Sequence, residues 1–150
     1  MTSHEQQIAS STLEIAAPAA TIFELIADPS HQPAWDGNAN LGEAPEGQRV
    51  HAVGDVFSMA LTTGAIRENR VVEFNEGRLI AWLPAPVGEP APGHLWRWEL
   101  EPIDEQTTRV THTYDWTKLT DETRLARARA TGPDQLMASM TRLAAAATGA

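Results

Sequence analysis

The chain has 150 residues and a mass of 16.3 kDa, the size of a single domain with one hydrophobic core. Hydrophobic residues make up 42% and charged residues 21% of the chain, which excludes wholesale disorder. The 20 acidic residues outnumber the 11 basic ones and give a net charge of −9, which disfavours nucleic acids and anionic membranes as partners. The absence of cysteine excludes disulfides, zinc–thiolate sites, iron–sulfur clusters and thiol nucleophiles.

The N-terminal segment carries neither the basic nor the apolar region of a secretory signal peptide. No apolar run approaches the roughly 20 residues of a membrane-spanning helix. We therefore expect a cytoplasmic protein, a monomer or a homodimer, without membrane insertion and without a nucleic-acid partner. Residues 1–7 are polar and are predicted to form a flexible arm, and residues 8–150 are predicted to form one domain.

The first third of the chain predicts a strand followed by two short helices. Leu13 and Ile15 alternate with polar residues, which indicates a half-buried strand. Pro18 suits the first turn of a helix, and Asp28-Pro29 ends that helix. The predicted elements are a strand over 8–16, a helix over 18–28, a helical turn over 30–35 and a poorly defined strand near 39–43.

The rest of the chain predicts an antiparallel meander followed by helices. Polar turns separate the alternating apolar segments, as hairpins require. The predicted strands cover residues 56–62, 66–74, 79–83, 94–103 and 107–117, with a proline-rich loop over 84–93. A short charged helix over 121–130 precedes a long amphipathic helix that begins at Pro133. A run of strands followed by a helix indicates an α+β fold, in which an antiparallel sheet of about six or seven strands curves around the C-terminal helix.

Several segments resemble the SRPBCC superfamily, the START-like and birch-pollen-allergen-like proteins, and in particular its polyketide cyclase/dehydrase-like subgroup. These segments follow the order of the family and span nearly the whole chain: LEIAAPAATIFELIADPSHQPAWDG (13–37), VVEFNEGRLIAW (71–82), WRWELEPI (96–103), TRVTHTYDWT (108–117) and TRLAAAA (141–147). The resemblance implies one START-like domain with a helix-grip fold, in which an apolar cavity lies between the curved sheet and the C-terminal helix. It implies no single activity, because family members include carriers, hormone sensors, cyclases and hydrolytic enzymes.

Strand alternation predicts a pocket on the face of the sheet that turns toward the C-terminal helix. Residues two apart in a strand share a face. The side chains on the inward face are large and apolar and carry few polar atoms. Such a lining suits an apolar ligand, although buried Trp and Met side chains also fill ordinary cores. The predicted pocket residues are Phe57, Met59, Trp82, Trp96, Trp98, His112, Tyr114, Trp116, Met137 and Met140.

His112, Tyr114 and Arg70 are the candidates for chemistry. An inward His112 can transfer a proton near neutral pH, and Tyr114 can orient a ligand carbonyl or hydroxyl group. Both residues also suit a core role with satisfied hydrogen bonds. Arg70 shares a strand face with Glu68 and with apolar residues, so either a bulge breaks the register or this pair lies inside. As an exposed pair, Glu68 and Arg70 would have no role in the cavity.

Metal and nucleotide sites have no support in the sequence. The five histidines lack HxH or HExxH spacing, and the GxSxG, P-loop and GxGxxG motifs are absent. We therefore expect no metal and no cofactor. Trp35 suits a structural role, and Asp36-Gly37 suits a turn. The loop over 84–93 is predicted to be either a stiff flap at the mouth of the cavity or a surface loop without function.

Three functions from different classes are compatible with these patterns. The first is binding or transport of a small hydrophobic ligand, such as a lipid, an aromatic or a polyketide-like molecule, held by burial of apolar surface. The second is an enzyme that resembles polyketide cyclases and dehydratases, in which His112 moves a proton and Tyr114 or Arg70 stabilises an oxyanion. The third is a protein-interaction module of the chaperone-activator type, in which the outer face of the sheet would act.

Overall fold

A computed structural model describes residues 7–36 and 41–149. Their central feature is a seven-stranded, fully antiparallel open sheet with the strand order β1-β7-β6-β5-β4-β3-β2. The strands are β1 (Ile8–Ile15), β2 (Leu41–Glu43), β3 (Val56–Leu61), β4 (Ile66–Asn75), β5 (Leu79–Pro86), β6 (Leu95–Asp104) and β7 (Thr107–Asp115). Strands β2 to β7 form a meander, and β1 pairs with β7 because the segment after β1 carries the chain across the concave face.

Short helices follow β1 and two further helices follow β7, as the helical spacing of apolar residues in these segments predicts. They are α1 (Ala19–Ala27), a 3-10 turn (Pro29–His31), α2 (Gln32–Trp35), α3 (Glu122–Ala130) and α4 (Pro133–Thr148). Capping defines their starts: the Asp121 carboxylate accepts a hydrogen bond from the Thr123 N–H, and the Gln135 side chain accepts one from the Gly132 N–H. No helix within the described ranges is long and apolar enough to cross a lipid bilayer. The α+β helix-grip prediction is confirmed.

The C-terminal helix α4 packs on the concave face of the sheet against β1 and β7 and against α1 and α2. Its residues Met140 and Leu143 are fully buried beside Phe23 and Ile26 of α1 and Trp98 of β6. The apolar face of each element is therefore covered by another, which is the main stabilising contribution in a domain of this size.

A bulge in β4 decides which residues of that strand face the helices. The pairing with β5 shifts register between Val71 and Glu73, so one extra residue lies on the β4 side. Before the bulge, Asn69 and Val71 are buried and Arg70 is exposed. After the bulge, Phe74 packs against the core. Of the two alternatives that the sequence left open, the bulge is therefore the correct one.

The ends of two strands differ from the sequence-based prediction. Strand β5 runs to Pro86 rather than to residue 83, so it includes the beginning of the predicted proline-rich loop. This is feasible because only residues 79–82 of β5 pair with β6, so the later prolines lie on an unpaired edge. Strand β7 ends at Asp115 rather than at 117. Residues 1–6 of the predicted arm, residues 39–40 of the weak strand and Gly37 lie outside the described residues.

Candidate functional site

A partly open cavity of about 540 Å³ lies between the concave face of the sheet and the helices. Strands β3 to β7 supply its floor, and the N-terminal part of α4 supplies one wall through Gln135 and Ser139. Helix α3 contributes Thr123, Arg127 and Ala130, which also remain exposed to solvent. These three residues therefore mark the mouth of the cavity.

A ladder of stacked aromatic rings forms the floor of the cavity. The register of β6 and β7 pairs Trp96 with Tyr114 and Trp98 with His112. The His112 ring stacks on Trp98 with 3.6 Å between ring centroids and an angle of 12°, and Trp96 lies 4.3 Å from Tyr114. Trp35 of α2 extends the ladder by an edge contact to Trp98 at 5.3 Å. Cross-strand ring pairs of this kind hold the side chains in fixed orientations.

His112 is the most unusual polar group of this ladder. It is 4% exposed, and neither ring nitrogen has a hydrogen-bond partner among residues 7–36 and 41–149. Burial lowers the pKa of His112 to about 3; the Leu136 carbonyl opposes this shift, but it does not complete a hydrogen bond to the ring. The imidazole is therefore neutral near pH 7, with one nitrogen able to donate and the other able to accept a hydrogen bond.

His94 and Tyr114 continue the polar side of the cavity toward α3. The two rings are in edge contact, with 6.1 Å between centroids. Burial, followed by the field of Arg124, Arg127 and Arg67, lowers the pKa of His94 to about 4, so this ring is also neutral near pH 7. Burial raises the pKa of Tyr114, which keeps its hydroxyl group protonated.

Three other polar side chains at the cavity wall donate hydrogen bonds to backbone carbonyl groups. The Trp35 indole N–H donates to the Leu25 carbonyl at 2.8 Å, in agreement with a structural role. The Gln32 side-chain amide donates to the Ile26 carbonyl at 3.0 Å, and the Asn69 amide donates to the Phe57 carbonyl at 3.4 Å. These bonds satisfy backbone groups that would otherwise be buried without partners.

Comparison with known proteins identifies the family of this domain. The sequence profile described as "Polyketide cyclase / dehydrase and lipid transport" matches residues 6–148. The chain belongs to this family. An uncharacterized protein of Mycobacterium tuberculosis is 32% identical over 110 residues, which cover 71% of this chain and 46% of that protein. The chain thus matches less than half the length of this curated relative.

Solved structures show the same fold at low sequence identity. The Zhui aromatase/cyclase from Streptomyces sp. R1128 is similar with a TM-score of 0.68 and 17% identity, over 94% of this chain and 93% of that one. A START superfamily protein from Mycobacterium smegmatis is similar with a TM-score of 0.66 and 16% identity, over 95% of this chain and 97% of that one. The helix-grip architecture is therefore shared, and at this identity the similarity extends to the fold alone.

In this family member, six of the ten predicted pocket residues line the cavity: Met59, Trp82, Trp96, Trp98, His112 and Tyr114. Phe57 does not, because it lies beneath Trp82 in an edge contact of 5.4 Å. Trp116 does not either, because it follows the end of β7 and packs in a separate cluster with Leu119, Ala128 and Leu136.

Met137 and Met140 also lie away from the cavity. The helical repeat places Met140 about 140° and Met137 about 200° around α4 from Gln135, which faces the cavity. Met140 is fully buried in the core, and Met137 packs against the same core from its edge. Neither residue is therefore among those that line this cavity.

Arg70 cannot act in the cavity, because it is exposed on the outer face of β4. Glu68 also lies away from the cavity, and its carboxylate accepts a hydrogen bond from the Gly88 N–H at 3.2 Å. The β4 residues that do line the cavity are Arg67 and Asn69, which the sequence analysis missed. Only the bulge could have identified them, because it changes which alternate residues of β4 point toward the cavity.

The sequence analysis also missed His94 and two arginines of α3, Arg124 and Arg127, which all line the cavity. His94 was detectable, because it precedes Trp96 and Trp98 in the same alternation. The two arginines are three residues apart and therefore share one face of α3, but the sequence does not tell which partner that face meets. Within the described ranges, no cluster of three or more His, Asp or Glu residues could hold a metal ion.

Proposed function

We propose that this protein binds a small ligand with an apolar, ring-containing body in the cavity. The observation that carries the proposal is the partly open hollow whose floor is built from the stacked rings of Trp96, Trp98, His112 and Tyr114. Both ring nitrogens of His112 are shielded from the hollow, so apolar burial against the rings, and not a hydrogen bond to the imidazole, carries the affinity.

The lining supports a ligand that is mostly apolar. Trp82, Trp96 and Trp98 offer flat ring surfaces, and burial of apolar ligand surface against them contributes about 25 cal/mol per Å². The cavity volume of about 540 Å³ falls within the range of small-molecule sites. Tyr114 lines the same cavity, and its protonated hydroxyl group can orient the ligand by donating a hydrogen bond to a ligand carbonyl group.

A polyketide cyclase-like enzyme is the second candidate. His112 and Tyr114 support it, because they lie two residues apart on β7 and face the same cavity. The low pKa of His112, about 3, weighs against it, because a general base works best when its pKa is near the operating pH. Burial of apolar ligand surface against the rings needs no proton transfer by His112, so ligand binding ranks first.

The binding proposal is tested with N-phenyl-1-naphthylamine, an uncharged fluorescent probe with an apolar ring system. We expect saturable binding of one probe per chain, read from probe fluorescence and from quenching of tryptophan emission. Ala130→Trp adds a large ring at the exposed mouth, and we expect it to weaken binding at least about tenfold, which corresponds to about 1.4 kcal/mol.

Ala146→Trp is the matched control, because Ala146 is an exposed alanine of α4 that does not line this cavity. It should leave the affinity for the probe unchanged. Absence of saturable binding, or equal loss of affinity in the two variants, would contradict the proposal. A protein-interaction module, the third function class, would be indifferent to Ala130→Trp at the mouth of the cavity.

A further inference from the structure

Three arginines gather on the mouth side of the cavity. Arg67 comes from β4, and Arg124 and Arg127 come from α3, more than 50 positions later in the chain. All three line the same hollow, and the field of all three reaches His94, where it adds to the effect of burial in lowering the pKa. Arginines from two separate elements therefore converge on one end of the cavity.

This concentration of positive charge contrasts with the molecule as a whole, which carries a net charge of −9. Away from the cavity, the arginines Arg49, Arg97 and Arg109 are each held by glutamates in salt bridges of 2.7 to 3.6 Å. Arg67 has no such ion pair among the described residues, and it lies in the cavity wall.

Acidic side chains are scarce among the described residues that line the cavity. Among the described lining residues, Asp36 is the single acidic one, and it follows α2 rather than α3. Arg124 is within 3.2 Å of Asp121, but this pair spans one turn at the helix start and the Asp121 side chain is largely exposed. Exposed pairs of this kind are weak, so a better-placed anion can compete for the guanidinium.

Resting on the binding function proposed above, we propose that the ligand is an amphipathic anion. Its apolar body lies among the aromatic rings of β5, β6 and β7, and its carboxylate, phosphate or sulfonate group lies at the mouth beside Arg67, Arg124 and Arg127. A planar guanidinium presents paired N–H groups that match the oxygens of such anions. The negative charge elsewhere on the surface repels anions, which restricts favourable anion binding to this end of the cavity.

The test compares two probes that share one ring system. 1-Anilinonaphthalene-8-sulfonate carries a sulfonate group, and N-phenyl-1-naphthylamine lacks it. Arg67→Gln and Arg127→Gln each remove one positive charge from the cavity wall. We expect each to weaken binding of the sulfonate probe about fivefold and the double variant to weaken it about 25-fold, with less than about twofold change for the uncharged probe.

Two matched substitutions outside the cavity control for net charge. Arg70→Gln changes the exposed face of β4, and Arg129→Gln changes the part of α3 that does not line the cavity. Both should leave the affinities for the two probes unchanged. The affinity for the sulfonate probe should also fall as sodium chloride is raised, while that for the uncharged probe should not. Thermal unfolding of each variant checks that it is folded.

The outcomes separate this inference from the function on which it rests. If the uncharged probe binds but affinity for the sulfonate probe is the same in the cavity variants as in wild type, or falls equally in the control variants, the anion site is refuted and the binding function stands. If the uncharged probe does not bind to the wild-type protein, the binding function is refuted. Selective loss of sulfonate binding in the Arg67 and Arg127 variants supports both.

Discussion

The interior of this protein has two regions that are built from the same strands but packed differently. Toward one end of β6 and β7, Leu100 and Val110 meet Phe23 and Leu143 in a close-packed core. Four residues away along each strand, Trp96 and Tyr114 face a hollow of about 540 Å³. The strands are continuous between the two regions, so the difference comes from the helices that cover them.

Helices α1 and α4 cover the packed region with long aliphatic and aromatic side chains, including Ile22, Phe23 and Leu143. Helix α3 covers the other region, and Ala128 is its one buried residue. Short and charged side chains cannot fill the space above large flat rings, so a volume remains. The cavity is therefore present because its covering helix is a poor packing partner, while the rest of the fold retains a conventional core.

The largest expected effect concerns the pH dependence of stability. Unfolded His112 binds a proton below about pH 6.5, whereas the folded state binds it only below about pH 3, its pKa in the cavity floor. The free energy of unfolding should therefore fall as the pH falls through this window, by up to about 5 kcal/mol from His112. Half-buried His94, with a pKa of about 4, contributes in the same direction.

His112→Phe keeps a ring at this position and removes the titration, so it should flatten much of this loss of stability between pH 7 and pH 4. The measurement is urea-induced unfolding at several pH values, and His51→Gln, at an exposed loop position, is the control. Retention of the full wild-type pH dependence in His112→Phe would show that the ring is not buried in its neutral form.

The packed region should be more sensitive to truncation than the cavity region. Phe23→Ala removes a fully buried ring from the core, and we expect it to cost about 3–5 kcal/mol of unfolding free energy. Trp96→Ala removes a larger ring that borders existing space and solvent, and we expect less than about half of that cost. Chemical denaturation of both variants tests the contrast, and equal costs would mean that the cavity collapses around its aromatic floor.

The smallest expected effect concerns Gly93, which leads into the cavity residue His94. Gly93 has a φ of +119°, and a Cβ atom there would overlap the Lys118 carbonyl group before α3. Gly93→Ala should therefore cost about 2–3 kcal/mol, from backbone strain and from displacement of this segment. Gly88→Ala, with a φ of +77° but open space around it, should cost only about 1 kcal/mol. Similar unfolding midpoints for the two variants would refute the close approach.

Strand alternation was sufficient to predict the aromatic ladder. Trp96, Trp98, His112 and Tyr114 lie in stretches of β6 and β7 that pair without a bulge, so residues two apart stay on one face. Polar turns marked the hairpins, and the change of period near Pro133 marked α4. These local signals, together with the resemblance of the segments to a known family, were sufficient to predict the helix-grip fold.

The bulge in β4 was not predictable to the residue, because it depends on how β4 pairs with β5. It places Arg67 and Asn69, and not Glu68 and Arg70, on the inner face and thereby removes a carboxylate from the cavity wall. Helical periodicity likewise grouped Met137 and Met140 on an apolar stripe but did not say which part of that stripe faces the core and which borders the hollow.

The order of the elements and the inward faces of the regular strands follow from the sequence alone, because these depend on spacing along a few residues. The tertiary structure alone decided that a hollow exists, that His112 lies in it without a hydrogen-bond partner among the described residues, and that arginines from β4 and α3 meet at its mouth. Those properties depend on distances between elements far apart in the chain, which packing determines and local periodicity does not encode.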